Sequence, residues 1–151
     1  MTDKHRDEAI ELLVSIPLVI NRKLHRQILM ATIEQSGENL APHHVIIMKM
    51  LQGDEPINMS GIGDEIGISR SQMTHSIDRL ISLGLIERQQ DLRDRRKINI
   101  KLTTKGKEII EKLQLILKSR MKAKLSSLSD DDLQRLVTSL RNLADILLKE
   151  H

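Results

Sequence analysis

Apolar residues recur every three or four positions through the first part of the chain. Ile10, Leu13, Ile16, Ile20, Leu24, Ile28 and Thr32 share one face of a helix expected over 6–35. Pro17 lies inside it and predicts a kink or a break, because proline removes a ladder N–H and crowds the preceding turn. The loop SGENLAPHH follows, and Pro42 stands where a second helix, running to Leu51, would begin. Asn58 is placed to cap a third helix that ends at Gly67. Gly61 and Gly63 fall inside that helix, each at a cost of about 1 kcal/mol against alanine, which predicts close approach of a neighbouring helix at one of them. Ser69 or Ser71 caps a fourth helix that stops at Gly84. Met73, Ile77, Leu80 and Ile81 form its apolar side. Ser71, His75, Asp78 and Ser82 form a polar side, with Arg70, Thr74 and Arg79 beside it.

The pattern then changes to alternation. Leu85 to Gln90 and Arg96 to Thr103 read as two strands joined by a charged turn. Ile98, Ile100 and Leu102 are expected to face inward, and Lys97, Asn99 and Lys101 outward. Thr104 opens a long helix to about Leu125. Ser129, ahead of Asp130, Asp131 and Asp132, caps a last helix that continues to the chain end. Its stripe is Leu133, Leu136, Val137, Leu140, Leu143, Ala144, Leu147 and Leu148. Together with the N-terminal stripe it exceeds what the rest of the chain can cover, which predicts burial against a second copy. The expected fold is mainly α with a small β-hairpin wing: a winged helix-turn-helix over 40–106, flanked by dimerisation helices over 1–36 and 107–151, in a single domain of 151 residues.

Composition narrows the function. The chain has no Cys, which excludes disulfides, thiolate metal sites and thiol-based redox sensing. It has no Phe, Tyr or Trp, so the core is aliphatic. No apolar run approaches the ~18 residues of a membrane span, and the charged N-terminus is unlike a signal peptide, so a cytoplasmic protein without membrane contact is expected. The net charge is only +3, yet the stretch 67–107 holds ten Lys/Arg and four acids. A basic middle within a nearly neutral chain points to a polyanion-binding surface.

Catalytic and metal-binding readings are weak. Ser71, His75 and Asp78 supply three triad residue types, but helical spacing sets them side by side with no oxyanion hole, and no enzyme activity is expected. His43 and His44 point about 100° apart on a helix and have no acid cluster to complete a metal site. No cofactor is implied.

The segment ISRSQMTHSIDRLISLGLIERQQDLRDRRKINIKLTTKG resembles the winged helix-turn-helix of the MarR family of transcription regulators. The most specific part is the wing signature of Asp91, Asp94, Arg95 and Arg96, followed by Leu102, Thr103, Lys105 and Gly106. The resemblance implies a homodimer with interleaved terminal helices, and two winged domains that meet successive major grooves of a pseudo-palindromic double-stranded DNA operator. It also implies a small-molecule ligand at the junction of the dimerisation and DNA-binding regions, and repression as the usual mode of action. By match to the family, Ser71, Gln72 and His75 are the base-reading positions. Ser69, Arg70, Thr74 and Arg79 are expected to hold phosphates, which position a protein without specifying sequence. Arg96 first, and Arg95 second, would enter the minor groove, with Asp94 bracing a neighbouring arginine. A winged-helix module that contacts an acidic protein is the alternative reading.

Overall fold

The computed structural model describes residues 2–53 and 55–149, in two compact units that divide between Leu117 and Lys118. The first unit opens with α1 (Thr2–Ile20), a π-helical segment (Asn21–His25) and α2 (Arg26–Ser36). The helix runs through Pro17 without a break. A missing N–H deletes one ladder bond, and the bonds on either side carry on. The irregularity lies further along, where the Arg26 N–H reaches the Asn21 carbonyl. Of the expected stripe only Ile28 and Thr32 are buried; Ile10, Leu13 and Ile16 are exposed. Gly37, with φ 74°, ends α2 in the left-handed conformation that glycine adopts without strain.

Next come α3 (Pro42–Met50), with Pro42 in its first turn, then β1 (Ile57–Asn58) and α4 (Met59–Ile66). The Asn58 carboxamide accepts from the Ser60 N–H and caps α4. After Gly67, α5 (Arg70–Ser82) starts at Ser69, whose Oγ accepts from the Gln72 N–H at 3.1 Å. β2 (Ile86–Gln90) and β3 (Ile98–Leu102) form the hairpin, and the sheet order is β1-β3-β2, all antiparallel. β1 pairs Ile57 with Ile100 and Asn58 with Asn99. Sequence pattern missed this strand because two residues are too few to show alternation.

Ile47, Met48, Ile62, Ile77, Leu80, Leu85, Ile86, Ile100, Ile110 and Leu113 form one aliphatic core beneath α5 and the hairpin. Ile98 departs from expectation: it is 45% exposed, while Ile100 and Leu102 are buried. The pleat does put all three on one face, but Ile98 pairs with Gln90 at the far end of the ladder, beyond the reach of β1. Gly63 is buried next to Met73, yet an added Cβ there would meet only ordinary contacts at 3.7 Å, and around Gly61 the space is open. The close approach expected at one of these two is therefore absent from both. It occurs at Gly106, where a Cβ would overlap the Leu85 carbonyl.

The start of α6 (Thr104–Leu125) is clamped around that contact. Thr103 Oγ1 donates to the Gly84 carbonyl at 2.6 Å and accepts from the Gly106 N–H at 3.0 Å. The Thr103 N–H donates to the Leu85 carbonyl, and Lys105 Nζ donates to the Leu83 carbonyl at 2.9 Å. Thr103, Lys105 and Gly106 of the Thr-x-Lys-Gly run thus each satisfy or abut a carbonyl of the Leu83–Leu85 segment that follows α5.

In the second unit, α6 ends at Leu125 and α7 (Asp130–Leu147) begins at Ser129, whose Oγ accepts from the Asp132 N–H. The expected stripe is present on α7, but no residue of this helix is buried. Residues 150 and 151, which the last helix was expected to include, lie outside the described residues.

Candidate nucleic-acid interface

α5 is fixed by its buried side, where Met73, Ser76, Ile77 and Leu80 pack inward. Its opposite side presents Ser71, Gln72 and His75 to solvent, and none of the three spends its side chain on a hydrogen bond among the described residues. They are unsatisfied donors and acceptors on one exposed helix face. The flanking residues are more engaged. The Ser69 hydroxyl is the helix cap, with its own proton still available to donate. Thr74 Oγ1 donates to the Arg70 carbonyl at 3.0 Å. Arg79 is half-buried and stands close enough to His44 to disfavour its protonation. Arg70 is exposed at the start of the helix.

α5 is tied to the hairpin by Arg88, which donates to Asp78 at 2.6 Å. A second pair, Lys101 with Glu87 at 3.0 Å, crosses the two strands. The turn between the strands is organised by Asp91. Its Oδ1 accepts from the Arg93 N–H at 2.7 Å and the Asp94 N–H at 3.0 Å, and its Oδ2 accepts from Asn99 Nδ2 at 3.0 Å. These bonds, the backbone ones foremost, hold its carboxyl below the usual aspartate range. Asp94 is a second anchor: its Oδ1 accepts from the Arg96 N–H at 3.0 Å and lies 3.3 Å from Arg96 Nε. The Lys97 N–H donates to the Asp94 carbonyl, and Gln90 Nε2 to the Arg95 carbonyl.

The charged knot is therefore a hydrogen-bonded loop. Asp94 does pair with a neighbouring arginine. Asp91, which sequence reasoning did not single out as a brace, holds three donors. An Asp two and three positions before the N–H groups it captures is the spacing of an Asx turn, and that signal was present in the sequence. Arg96 and Lys97 line one side of an open cleft of about 560 Å³, faced by Arg70, Thr74 and Met59. Arg95 and Arg93 are exposed and form no ion pair among the described residues.

His44 has a structural task. It is 7% exposed, and its Nδ1 accepts from the Ala41 N–H at 3.0 Å at the start of α3. Burial pushes its pKa down to about 4, with His43, Arg79 and His75 adding repulsion. An unfolded histidine titrates near 6.5. Between these values the unfolded chain binds the extra proton, so stability is complete above pH ~6.5 and falls as pH drops toward 4. Urea denaturation followed by far-UV circular dichroism should show this loss, and His44→Gln should remove on the order of 2 kcal/mol of the pH dependence. An unchanged slope in the variant would contradict it.

A capped helix, a glycine turn, an exposed second helix and a braced basic hairpin define a winged helix-turn-helix protein. Residues 41–98 match the model of the MarR family. An uncharacterised HTH-type transcriptional regulator of Bacillus subtilis, YkoM, is 29% identical over 100 residues, 66% of this chain and 65% of that protein. Among solved structures, YusO from Bacillus subtilis is 25% identical at a TM-score of 0.66, covering 91% of this chain and 97% of that one. Wild-type MarR from E. coli, in its apo form, is 20% identical at 0.77, covering 87% and 96%. Over residues 41–98 the chain is thus similar to the MarR family, and its fold is that of the solved MarR structures. No described helix is long and apolar enough to cross a membrane.

Proposed function

We propose that the protein is a sequence-specific double-stranded-DNA-binding transcription regulator that acts as a homodimer and represses its target genes. One observation carries this reading: α5 exposes Ser71, Gln72 and His75 with no internal partners, beside a hydrogen-bonded wing of arginines. Short polar side chains on a helix can reach base edges in the major groove, and Gln72 can pair with adenine through two bonds. Arg70 and Ser69 would hold phosphates. Thr74 would do so as an acceptor of water or after turning its hydroxyl away from Arg70. Arg79, half-buried, would contribute mainly through its field. Arg95 and Arg96 would meet the negative potential of the minor groove, with Asp94 keeping Arg96 extended from the strand.

The helices over 1–36 and 107–151 would form the dimer, setting two copies of the 40–106 region on half-sites of a pseudo-palindrome about one helical turn apart. A small effector that relieves repression is part of this reading. Its site would be the junction of the dimerisation and DNA-binding regions, as the resemblance implies. The location would be the cytoplasm.

The test is binding to the promoter fragment next to the protein's own gene, against random duplex of equal length. The wild type should prefer the promoter by at least about 10³-fold. Gln72→Ala and His75→Ala should each cost about 1–3 kcal/mol on the operator and much less on random DNA. Equal losses on both would make those residues phosphate contacts. Failure of the wild type to bind either duplex would favour the protein-interaction module.

A further inference from the structure

Leu92 is 99% exposed, at the tip of the wing. The fold gains nothing from it: it touches no core residue, and a turn of this kind accepts Asn, Gly or Ser at such a position. The loop nevertheless holds it in a fixed place. It follows Asp91, whose carboxylate accepts from the N–H groups of Arg93 and Asp94, so the backbone on either side of Leu92 is closed into a turn. Arg93, the next residue, and Arg95 beyond it are exposed and form no ion pair among the described residues. An apolar side chain is thus presented on a braced support, followed by two available cations.

Resting on the DNA-binding reading above, we propose that Leu92 is a specificity-determining contact in the minor groove. It seats against the deoxyribose walls while Arg93 meets a phosphate on the rim and Arg95 shares the groove. The occupant follows from charge and shape. The arginines require a polyanion, and the minor groove of DNA, roughly 6 Å wide, is one whose walls are apolar sugar C–H surfaces. The groove floor supplies the selectivity. A·T pairs show only acceptors there, whereas guanine adds the N2 amino donor. A leucine pressed over that amino group strips its water and offers no acceptor in return, a penalty that A·T pairs largely escape. Leu92 therefore selects A·T over G·C at the step beneath the wing, through a contact that carries no charge.

Hydroxyl-radical footprinting on the promoter fragment locates the wing-protected minor groove. At that step, three duplexes are compared by fluorescence anisotropy across a salt series: A·T, G·C and inosine·C. Inosine keeps the major-groove face of guanine and lacks its N2 amino group. Wild type should bind A·T and inosine·C alike, and G·C about tenfold or more weaker. Leu92→Ser should compress this difference to within about twofold, leaving the log–log salt slope unchanged, whereas Arg95→Ala should lower the slope by roughly 0.9. Inosine·C behaving as G·C in the wild type, or Leu92→Ser retaining the full discrimination, overturns the role of Leu92 while the DNA-binding reading stands. No binding of wild type to any duplex removes that reading and this inference together. Because Leu92 is fully exposed, the serine variant should fold as wild type, which circular dichroism verifies.

Discussion

Gly106→Ala is expected to destabilise the protein by more than about 3 kcal/mol, and to lower Tm by roughly 10 °C in thermal denaturation followed by circular dichroism. The added methyl would overlap the Leu85 carbonyl oxygen and crowd its carbon and Leu102 Cδ2. A flexible side chain could move aside, but the main obstacle here is backbone. Leu85 cannot retreat easily, since its carbonyl accepts from the Thr103 N–H and its side chain is buried in the core. α6 cannot retreat either without breaking the Thr103 and Lys105 bonds to Gly84 and Leu83. Intrinsic helix propensity would favour alanine by about 1 kcal/mol, so the sign of the result separates packing from propensity. An unchanged or raised Tm would show that the junction relaxes at no cost.

The largest functional effect is expected from Leu140→Glu combined with Leu147→Glu. These residues are 52% and 67% exposed on α7, on a face where Leu133, Leu136, Val137 and Leu143 are also only partly covered. α1 leaves Ile10, Leu13, Ile16 and Leu18 similarly open. Obligate interfaces bury more than ~2,000 Å² and are rich in such side chains. Two carboxylates buried without partners would cost several kcal/mol per protomer, enough to abolish a micromolar or tighter dimer. Light scattering should report a monomer or an aggregating chain. Operator affinity should fall by at least 10²-fold, because the two half-sites no longer act through one linked molecule. Retention of a dimer by the double variant would place the interface elsewhere, and a well-folded wild-type monomer at micromolar concentration would remove the dimer from the proposed function.

Much of the fold was legible because local chemistry and tertiary structure agree. Asn58, Ser69 and Ser129 all cap the helices they precede, and the left-handed glycines Gly67 and Gly84 follow the helices they end. The apolar side of α5 was readable because Met73, Ile77 and Leu80 face one core. What escaped depends on partners distant in sequence. β1 exists only because β3 pairs with it. Ile98 follows the pleat yet stays exposed, since alternation specifies a face and cannot specify what covers it. Gly61 and Gly63 drew attention because they sit inside a helix. Gly106 did not stand out for a close contact, although the contact there is with a carbonyl 21 residues away, at Leu85. In the wing, Asp94 stood out beside its arginines, while Asp91 works through backbone N–H groups that no charge count reveals.

The π-helical segment at Asn21–His25 closes its turn over one residue more than an α-helix does. A helix that absorbs a single extra residue turns everything beyond it by about 100° and lengthens by about 1.5 Å, without opening a loop. The stripe that runs in sequence from Ile10 to Thr32 is thereby split into two phases; after the segment Ile28 and Thr32 are buried, whereas residues 3–19 are exposed on every face. A one-residue insertion or deletion absorbed here would change which way the N-terminal helix faces. Relatives that differ by one residue in this stretch should then differ in the orientation of their assembly surface while keeping the same winged domain.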